Sequence, residues 1–264
     1  MPEGPEVKKL TDYLRKKILN ENLLEIDILG GRYFKHNNLK NYKNFVKELP
    51  SKIININCKG KFIYMEFKNE WILFITLGMS GWFRISNNKE KHDNISFKFK
   101  EKELLFNDYR NFGTLMFMRR EDLDKKLNLL GSDILDIKFD YEEFRKRYDK
   151  KRDDTKIGTL LMDQKVISGV GNYLRADGLY LSKISPHRRI DEIEEDELKL
   201  LIDNLRELAW MEYNEEKGRK LGIIKKLKNY KDFYIYNQKI VNGYKVIREK
   251  LKDRTIHWIK EIQK

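Results

Sequence analysis

Apolar residues recur at helical spacing from the very start of the chain. Val7, Leu10, Leu14 and Ile18 fall on one face, and Lys8, Lys9, Arg15 and Lys16 lie around the other. Pro5 suits the first helical position, where its missing N–H costs nothing. From about residue 23 to 118 the period shortens. Ile95, Phe97 and Phe99 alternate with Ser96, Lys98 and Lys100, and further short apolar runs lie at 53–56, 62–67, 71–77 and 104–106. This stretch predicts an antiparallel sheet or sandwich. After Arg119 the helical period returns, predicting helices over 122–130, 141–148, 157–162, 172–181 and 195–213. The expected fold is therefore α+β, with a boundary near 119–131.

Composition narrows the partners. Lys and Arg total 55 against 42 Asp and Glu, a formal charge of +13, which favours a polyanion through counterion release. The surplus is uneven: acidic residues prevail over 182–213, and basic residues over 214–264, where Tyr230, Phe233, Tyr234, Tyr236 and Trp258 interleave with them. That last stretch is the expected DNA-facing surface. Cys58 is the sole cysteine, which excludes an intramolecular disulfide and a cysteine-rich zinc finger. No apolar run is long enough to cross a membrane, and the N-terminus lacks the basic and apolar regions of a signal peptide. A reducing, nucleic-acid-containing compartment is expected, without its identity being fixed.

The N-terminus is a candidate reactive centre. An initiator Met before Pro is a usual substrate for removal, which frees the secondary amine of Pro2. An α-amino group titrates near about 7.7–8.0, against about 10.4 for Lys, so a useful fraction is neutral at cellular pH. A nearby helix start lowers the value further. Attack by this amine on a sugar C1′ gives an iminium with no N–H to lose, a lasting electron sink for elimination. Glu3 beside it is placed to protonate the ring oxygen as a general acid. The bland alternative is a stiff turn with acidic residues favourably placed at a helix start.

Five motifs, the N-terminal one and four more, decide between these readings. Pro2-Glu3-Gly4-Pro5-Glu6, Gly60-Lys61-Phe62, Leu77-Gly78-Met79-Ser80-Gly81, Asn107–Gly113 and the run from Leu160-Leu161-Met162-Asp163-Gln164 through Ser168-Gly169-Val170-Gly171-Asn172-Tyr173 occur in that order. Together they resemble the formamidopyrimidine-DNA glycosylase and endonuclease VIII family, and the pattern on to Ile184-Ser185-Pro186-His187 is similar to the endonuclease VIII-like branch. The resemblance implies Pro2 as Schiff-base nucleophile, Glu3 as proton donor, Glu6 as a supporting residue, and Lys61 as a catalytic lysine that also meets phosphate. It implies Met79, Arg110 and Phe112 as fillers of the gap left by an extruded nucleotide, since lost stacking must be replaced. His92, Arg110 and Asn172 would contact DNA phosphates, with Asn172 at a helix start whose N–H groups face an anion. Asp153 and Asp154 stand where the family often has a basic residue, so no phosphate contact is carried over there.

The C-terminus departs from the common family pattern. Ile259 and Ile262 stand where two zinc-binding cysteines would be, and the two earlier cysteines are also missing. The resemblance is to a zincless finger, in which Arg254 is the finger arginine that contacts phosphates and takes part in the second elimination. The implied architecture is an N-terminal catalytic β-sandwich domain with flanking helices (1–122) and a mostly helical domain (123–230) with a helix–two-turn–helix at about 157–183. A β-hairpin finger (231–264) completes it. The implied function is a bifunctional glycosylase and abasic-site lyase of base excision repair. It would need no zinc or other cofactor, and would act as a monomer on damaged DNA, duplex or single-stranded. Oxidised pyrimidines are the expected lesions, then hydantoins, and the segment 215–229 is expected to cover the flipped base. The rival readings are a non-catalytic DNA-damage or structure-binding protein and a structural ribosome-associated protein.

Overall fold

A computed structural model describes residues 1–36, 39–227 and 233–264, and the side chains of Lys35 and His36 are left aside. The fold is mixed α+β, and it divides into two compact units, Met1–Pro2 with Glu6–Leu129 and Glu3–Pro5 with Leu130–Lys264.

The first unit opens with α1 (Gly4–Ile18), whose apolar stripe Val7, Leu10, Leu14 and Ile18 is fully buried. Strands β1 (Asn22–Leu23) and β2 (Glu25–Ile28) follow, then the short helices α2 (Gly31–His36) and α3 (Tyr42–Val46). Seven more strands complete the unit: β3 (Ser51–Lys59), β4 (Phe62–Phe67), β5 (Ile72–Thr76), β6 (Trp82–Ile85), β7 (Asp93–Lys98), β8 (Glu103–Asn107) and β9 (Thr114–Met118). They form two antiparallel sheets, ordered β1-β3-β4-β5-β9 and β2-β7-β8-β6. Inward residues of both sheets and the α1 stripe share one core. At its centre Phe45 stacks on Phe117 at 4.0 Å and meets Phe67 at 4.8 Å. Such aromatic pairs add about 0.5–1.5 kcal/mol beyond the area they bury.

Helix α4 (Arg120–Leu129) closes this unit. The compact unit thus ends after Leu129, within the expected boundary region of 119–131. Arg120, at the start of this helix, pairs with Glu66 on β4 at 2.6 Å, and Lys59 on β3 donates to the Leu127 carbonyl at 3.1 Å.

The second unit contains α5 (Tyr141–Tyr148), α6 (Ile157–Leu160), α7 (Asn172–Leu181) and α8 (Glu195–Lys220). β10 (Ser132–Asp133) pairs parallel with β11 (Ile167–Ser168), and two hairpins follow: β12 (Ile240–Val241) with β13 (Tyr244–Lys245), and β14 (Ile247–Leu251) with β15 (Arg254–Trp258). α7 and α8 pack closely because residue 178 is glycine; a Cβ there would lie 2.5 Å from Leu205. The α8 helix runs past the expected end at 213 because the backbone kinks at Asn214 and then resumes helix to Lys220. The expected base-covering segment 215–229 therefore begins as helix. Its last two residues, and Tyr230, lie outside the described residues. The β12–β15 hairpins belong to the same compact unit as the helices.

Candidate active site

Glu3 is the buried centre of the second unit's site. It is only 2 % exposed, and its carboxylate accepts the N–H groups of Tyr173 at 2.9 Å and Leu174 at 3.4 Å, at the start of α7. Helix starts carry N–H groups without intrahelical partners, so a carboxylate there is favoured by both hydrogen bonding and the helix dipole. In the structure the Tyr173 and Leu174 N–H groups of this helix start serve Glu3, and the expected phosphate contact concerns the Asn172 side chain beside them.

Glycines make that approach possible. A Cβ on Gly171 would lie 2.2 Å from the Glu3 carboxyl carbon, and Gly169 holds φ +98°, a conformation side chains rarely adopt. The Gly4 N–H donates to the Gly169 carbonyl at 2.9 Å. Gln164 holds the same loop from the other side, accepting from Gly169 N–H at 3.0 Å and donating to the Val170 carbonyl at 2.9 Å. The Ser-Gly-Val-Gly-Asn motif is thus shaped around the residue next to Pro2. Pro2 itself is half-buried, behind an exposed Met1, and Glu6 lies half-buried in the first turn of α1.

Asn172 is half-buried, and its Oδ1 accepts from Arg175 Nη2 at 3.0 Å, which leaves its amide N–H groups to serve a ligand. Arg175 is a site residue that sequence reasoning missed. It is 1 % exposed and also donates to the Gly158 carbonyl at 2.8 Å and the Thr255 carbonyl at 2.9 Å. It thereby ties α6, α7 and the strand that begins with Arg254. Burial pulls its guanidinium down to about 10, opposed by the Glu3 charge and reinforced by Arg254. Arg254 is exposed at the start of β15, where it pairs with Leu251 across the Lys252–Asp253 turn. Asp177, fully buried, accepts the N–H groups of Tyr234, Ile235 and Tyr236 at 2.9–3.1 Å and so fixes the approach to the hairpins. One signal for both was in the sequence: α7 is apolar around its circumference, so a charge within it has no solvent face. Every residue from Tyr173 to Leu179 is buried.

The first unit brings four of the other candidates together. Gly78 sits at φ +60° with its backbone against Phe112 and Gly113, where a Cβ would lie 2.5 Å from the Phe112 carbonyl carbon. The Met79 loop and the Arg110–Phe112 loop therefore touch backbone to backbone. Asp108, 1 % exposed, organises both. It accepts from Ser80 Oγ and, at 2.7 Å, from Gly113 N–H, while Ser80 Oγ accepts from Arg110 N–H at 3.1 Å. Phe112 stands 53 % exposed with the Arg110 guanidinium 5.3 Å from its ring, and Met79 is half-buried. Exposed apolar groups on a rigid, hydrogen-bonded loop suit insertion into a base stack. The exposed His92, at φ +73°, joins the same network through its carbonyl, which accepts Asp108 N–H at 3.1 Å. Lys61 lies at the Gly60–Lys61 turn between β3 and β4, half-buried, with Gly60 at φ +57°.

Among the described residues no group of three or more His, Cys, Asp or Glu is placed to hold a metal ion. Ile259 is fully buried with Ala176, Ile235 and Val246, and Ile262 packs against them. Gln263 closes the turn, accepting from Ile259 N–H at 2.8 Å and donating to the Ile184 carbonyl at 2.9 Å. Isoleucine offers no donor atom, so these residues do not fit zinc.

A two-sheet unit, a glycine-bounded helix–two-turn–helix and a carboxylate from the chain start held on that helix together describe a class of DNA-repair enzymes. Family models agree along most of the chain. The formamidopyrimidine-DNA glycosylase N-terminal domain matches residues 1–115, and the formamidopyrimidine-DNA glycosylase H2TH domain matches residues 130–214. A formamidopyrimidine-DNA glycosylase of Rickettsia felis is 32% identical over 218 residues, covering 79% of this chain and 75% of the relative. One from Mycoplasma mobile is 31% identical over 210 residues, covering 77% and 74%. Among solved structures, the Lactococcus lactis enzyme in complex with DNA containing N7-benzyl-Fapy-dG superposes with a TM-score of 0.82 at 25% identity, covering 100% of both chains. A related protein in complex with carbocyclic 8-oxo-G DNA gives 0.83 at 25%, again over 100% of both chains. The chain belongs to the formamidopyrimidine-DNA glycosylase family, and is a DNA glycosylase with abasic-site lyase activity.

Proposed function

We propose that this enzyme excises oxidised pyrimidines and hydantoins through a Schiff base on Pro2 and cleaves the strand by β,δ-elimination. The observation that carries the reading is the buried Glu3 carboxylate, fixed on the α7 start directly beside Pro2. Once Met1 is removed, the Pro2 nitrogen attacks C1′ of the flipped nucleotide and the C1′–N bond breaks as the base leaves. Glu3 protonates the ring oxygen, so the ring opens and an iminium remains. Loss of the C2′ proton expels the 3′ phosphate, and a second elimination expels the 5′ phosphate. Lys61, Arg110, Asn172 and Arg254 hold backbone phosphates, with His92 at the edge. Met79, Arg110 and Phe112 occupy the vacated stack, and Glu6 supports the N-terminal turn. The apolar packing around Ile259 supports a finger that works without zinc, and the enzyme acts as a monomer on damaged duplex or single-stranded DNA.

The choice of pyrimidines rests on the similarity of 160–187 to the endonuclease VIII-like branch. A second reading, oxidised and ring-opened purines, is favoured by the names of the relatives and by the Fapy-dG and 8-oxo-G DNA in the solved complexes. Borohydride trapping tests both. The Met1-processed protein is incubated with duplexes carrying an oxidised pyrimidine, a hydantoin, 8-oxoguanine or an abasic site, then reduced and mapped by mass spectrometry. A covalent adduct on Pro2, fastest with the oxidised pyrimidine, is expected. An adduct on Lys61 in place of Pro2, or none with the abasic duplex, would overturn the mechanism, and faster trapping with 8-oxoguanine would overturn the lesion order.

A further inference from the structure

The finger holds a buried histidine that the lyase chemistry does not use. His257 on β15 is 3 % exposed, yet neither ring nitrogen has a hydrogen-bond partner among the described residues. The Tyr236 ring, 5.0 Å away and edge-on, accounts for the position of the imidazole but leaves both nitrogens unserved. Buried polar atoms are nearly always satisfied, so an unserved pair calls for a ligand. His257 lines a cavity of about 570 Å³ together with Arg248, Lys239, Lys245, Asn237 and Gln238, and no carboxylate lines it.

Register places the cavity on the hairpin face opposite to that of Arg254. Arg248 faces His257 directly across the hairpin, and alternation puts this pair on one face while Glu249, Ile256 and Trp258 take the other. The second face is already used: Glu249 accepts from Trp258 Nε1 at 2.6 Å and lies 2.7 Å from His187 Nε2. The first face is where positive charge goes unanswered. Arg248, Lys239 and Lys245 have no ion-pair partner among the described residues, and Val246 N–H donates to the Lys239 carbonyl at 2.9 Å, which closes the base of the first hairpin beside the cavity. Burial, with the Arg248 and Arg175 charges, pushes the His257 imidazole below its usual range. An anion in the cavity would reverse that bias.

We propose that this cavity is a phosphate-binding site, in which the His257 imidazole and the Arg248, Lys239 and Lys245 cations receive one phosphate group, distinct from the phosphates assigned to Arg254. The chemistry fits a backbone phosphodiester or a free phosphate monoester, and the test separates them. In the full chain, the His257 ring resonances are followed by NMR during titration with inorganic phosphate, thymidine monophosphate or a short undamaged duplex. The resonance is assigned by its loss in His257→Phe.

A saturable shift is expected. Saturation by duplex at concentrations where the small phosphates have no effect identifies a DNA-backbone site; saturation by the small phosphates alone identifies a mononucleotide site. Arg248→Ser, an exposed change that leaves the ring in place, weakens the interaction roughly tenfold or more, the scale of one charge-assisted hydrogen bond. No shift with any of the three, or an undiminished shift in Arg248→Ser, overturns the site. Because the readout is a ring resonance, failure here leaves the Pro2 trapping result untouched.

Discussion

The two units bury their interiors by different means. The first is held by aromatic and aliphatic packing, with the Phe45 ring against Phe67, Phe117 and Trp71. The second encloses charge: Glu3, Arg175 and Asp177 are each at most 2 % exposed and hydrogen-bond to backbone of other elements. Apolar packing is non-directional and tolerates small shifts. A buried charge with several fixed partners defines one geometry and penalises every other. The contrast teaches where positional precision is stored: in the polar lock that joins the α7 start to the strand beginning at Arg254.

The largest expected effect separates these two kinds of interior. Phe117→Ala removes a fully buried ring and should cost about 3–5 kcal/mol. Arg175→Met should cost a similar amount, about 3–5 kcal/mol, because the Gly158 and Thr255 carbonyls lose their donor and Glu3 loses its nearby cation. Urea unfolding at constant m-value measures both. Activity distinguishes them: per folded molecule, Phe117→Ala keeps wild-type cleavage of an abasic duplex. Arg175→Met loses on the order of 100-fold, the scale of a 1 Å misplacement of reacting groups. Equal cleavage by the two variants would mean that Arg175 is only another core residue.

This contrast also explains what could be read in advance. The α1 stripe, the alternating strands and the helix–two-turn–helix glycines carry their pattern in nearest neighbours, so period and spacing reveal them. The roles of Arg175, Asp177 and Asp108 depend on acceptors or donors 5 to 80 residues away, and a charged residue type in a local window suggests solvent. Asn172 shows the same limit from the other side. Its helix start reads as an anion site in the sequence, but that the Tyr173 N–H there serves Glu3, 170 residues upstream, was not legible. The apolar character of the finger turn was legible in Ile259 and Ile262, whereas the Gln263 clamp that closes it was not.

A smaller effect tests the fit of the lock. Gly171→Ala places a methyl group against the Glu3 carboxyl, so either the loop or Glu3 must move. Overpacking of this kind costs about 1–3 kcal/mol. If Glu3 moves, general-acid assistance is lost, and steady-state cleavage falls on the order of 100-fold with little change in duplex affinity. Gly222→Ala is the control, since a Cβ there meets nothing within 4 Å, although its φ of +67° carries backbone strain of its own. A Gly171→Ala enzyme as active as wild type would show that Glu3 needs no fixed seat.

The smallest effect concerns His257 and acid. Its folded pKa lies below the ordinary histidine value of about 6.5, so the unfolded chain binds more protons as pH falls through that value. Stability contributed by the neutral, buried imidazole is therefore present above about pH 6.5 and is lost as pH drops toward its folded pKa. Glu249, held below the usual carboxylate range by the His187 hydrogen bond, contributes with the same sign but in a lower range: its stabilisation is present above about pH 4.5 and fades only below it. Denaturant unfolding between pH 7 and pH 5 thus isolates the histidine. The stability of wild type relative to His257→Phe should fall across that window. The phosphate site makes the comparison sharper, because an anion beside the imidazole favours its protonated form. Saturating inorganic phosphate should flatten the fall in wild type and leave His257→Phe unchanged, while an unaltered slope would separate the buried imidazole from any anion.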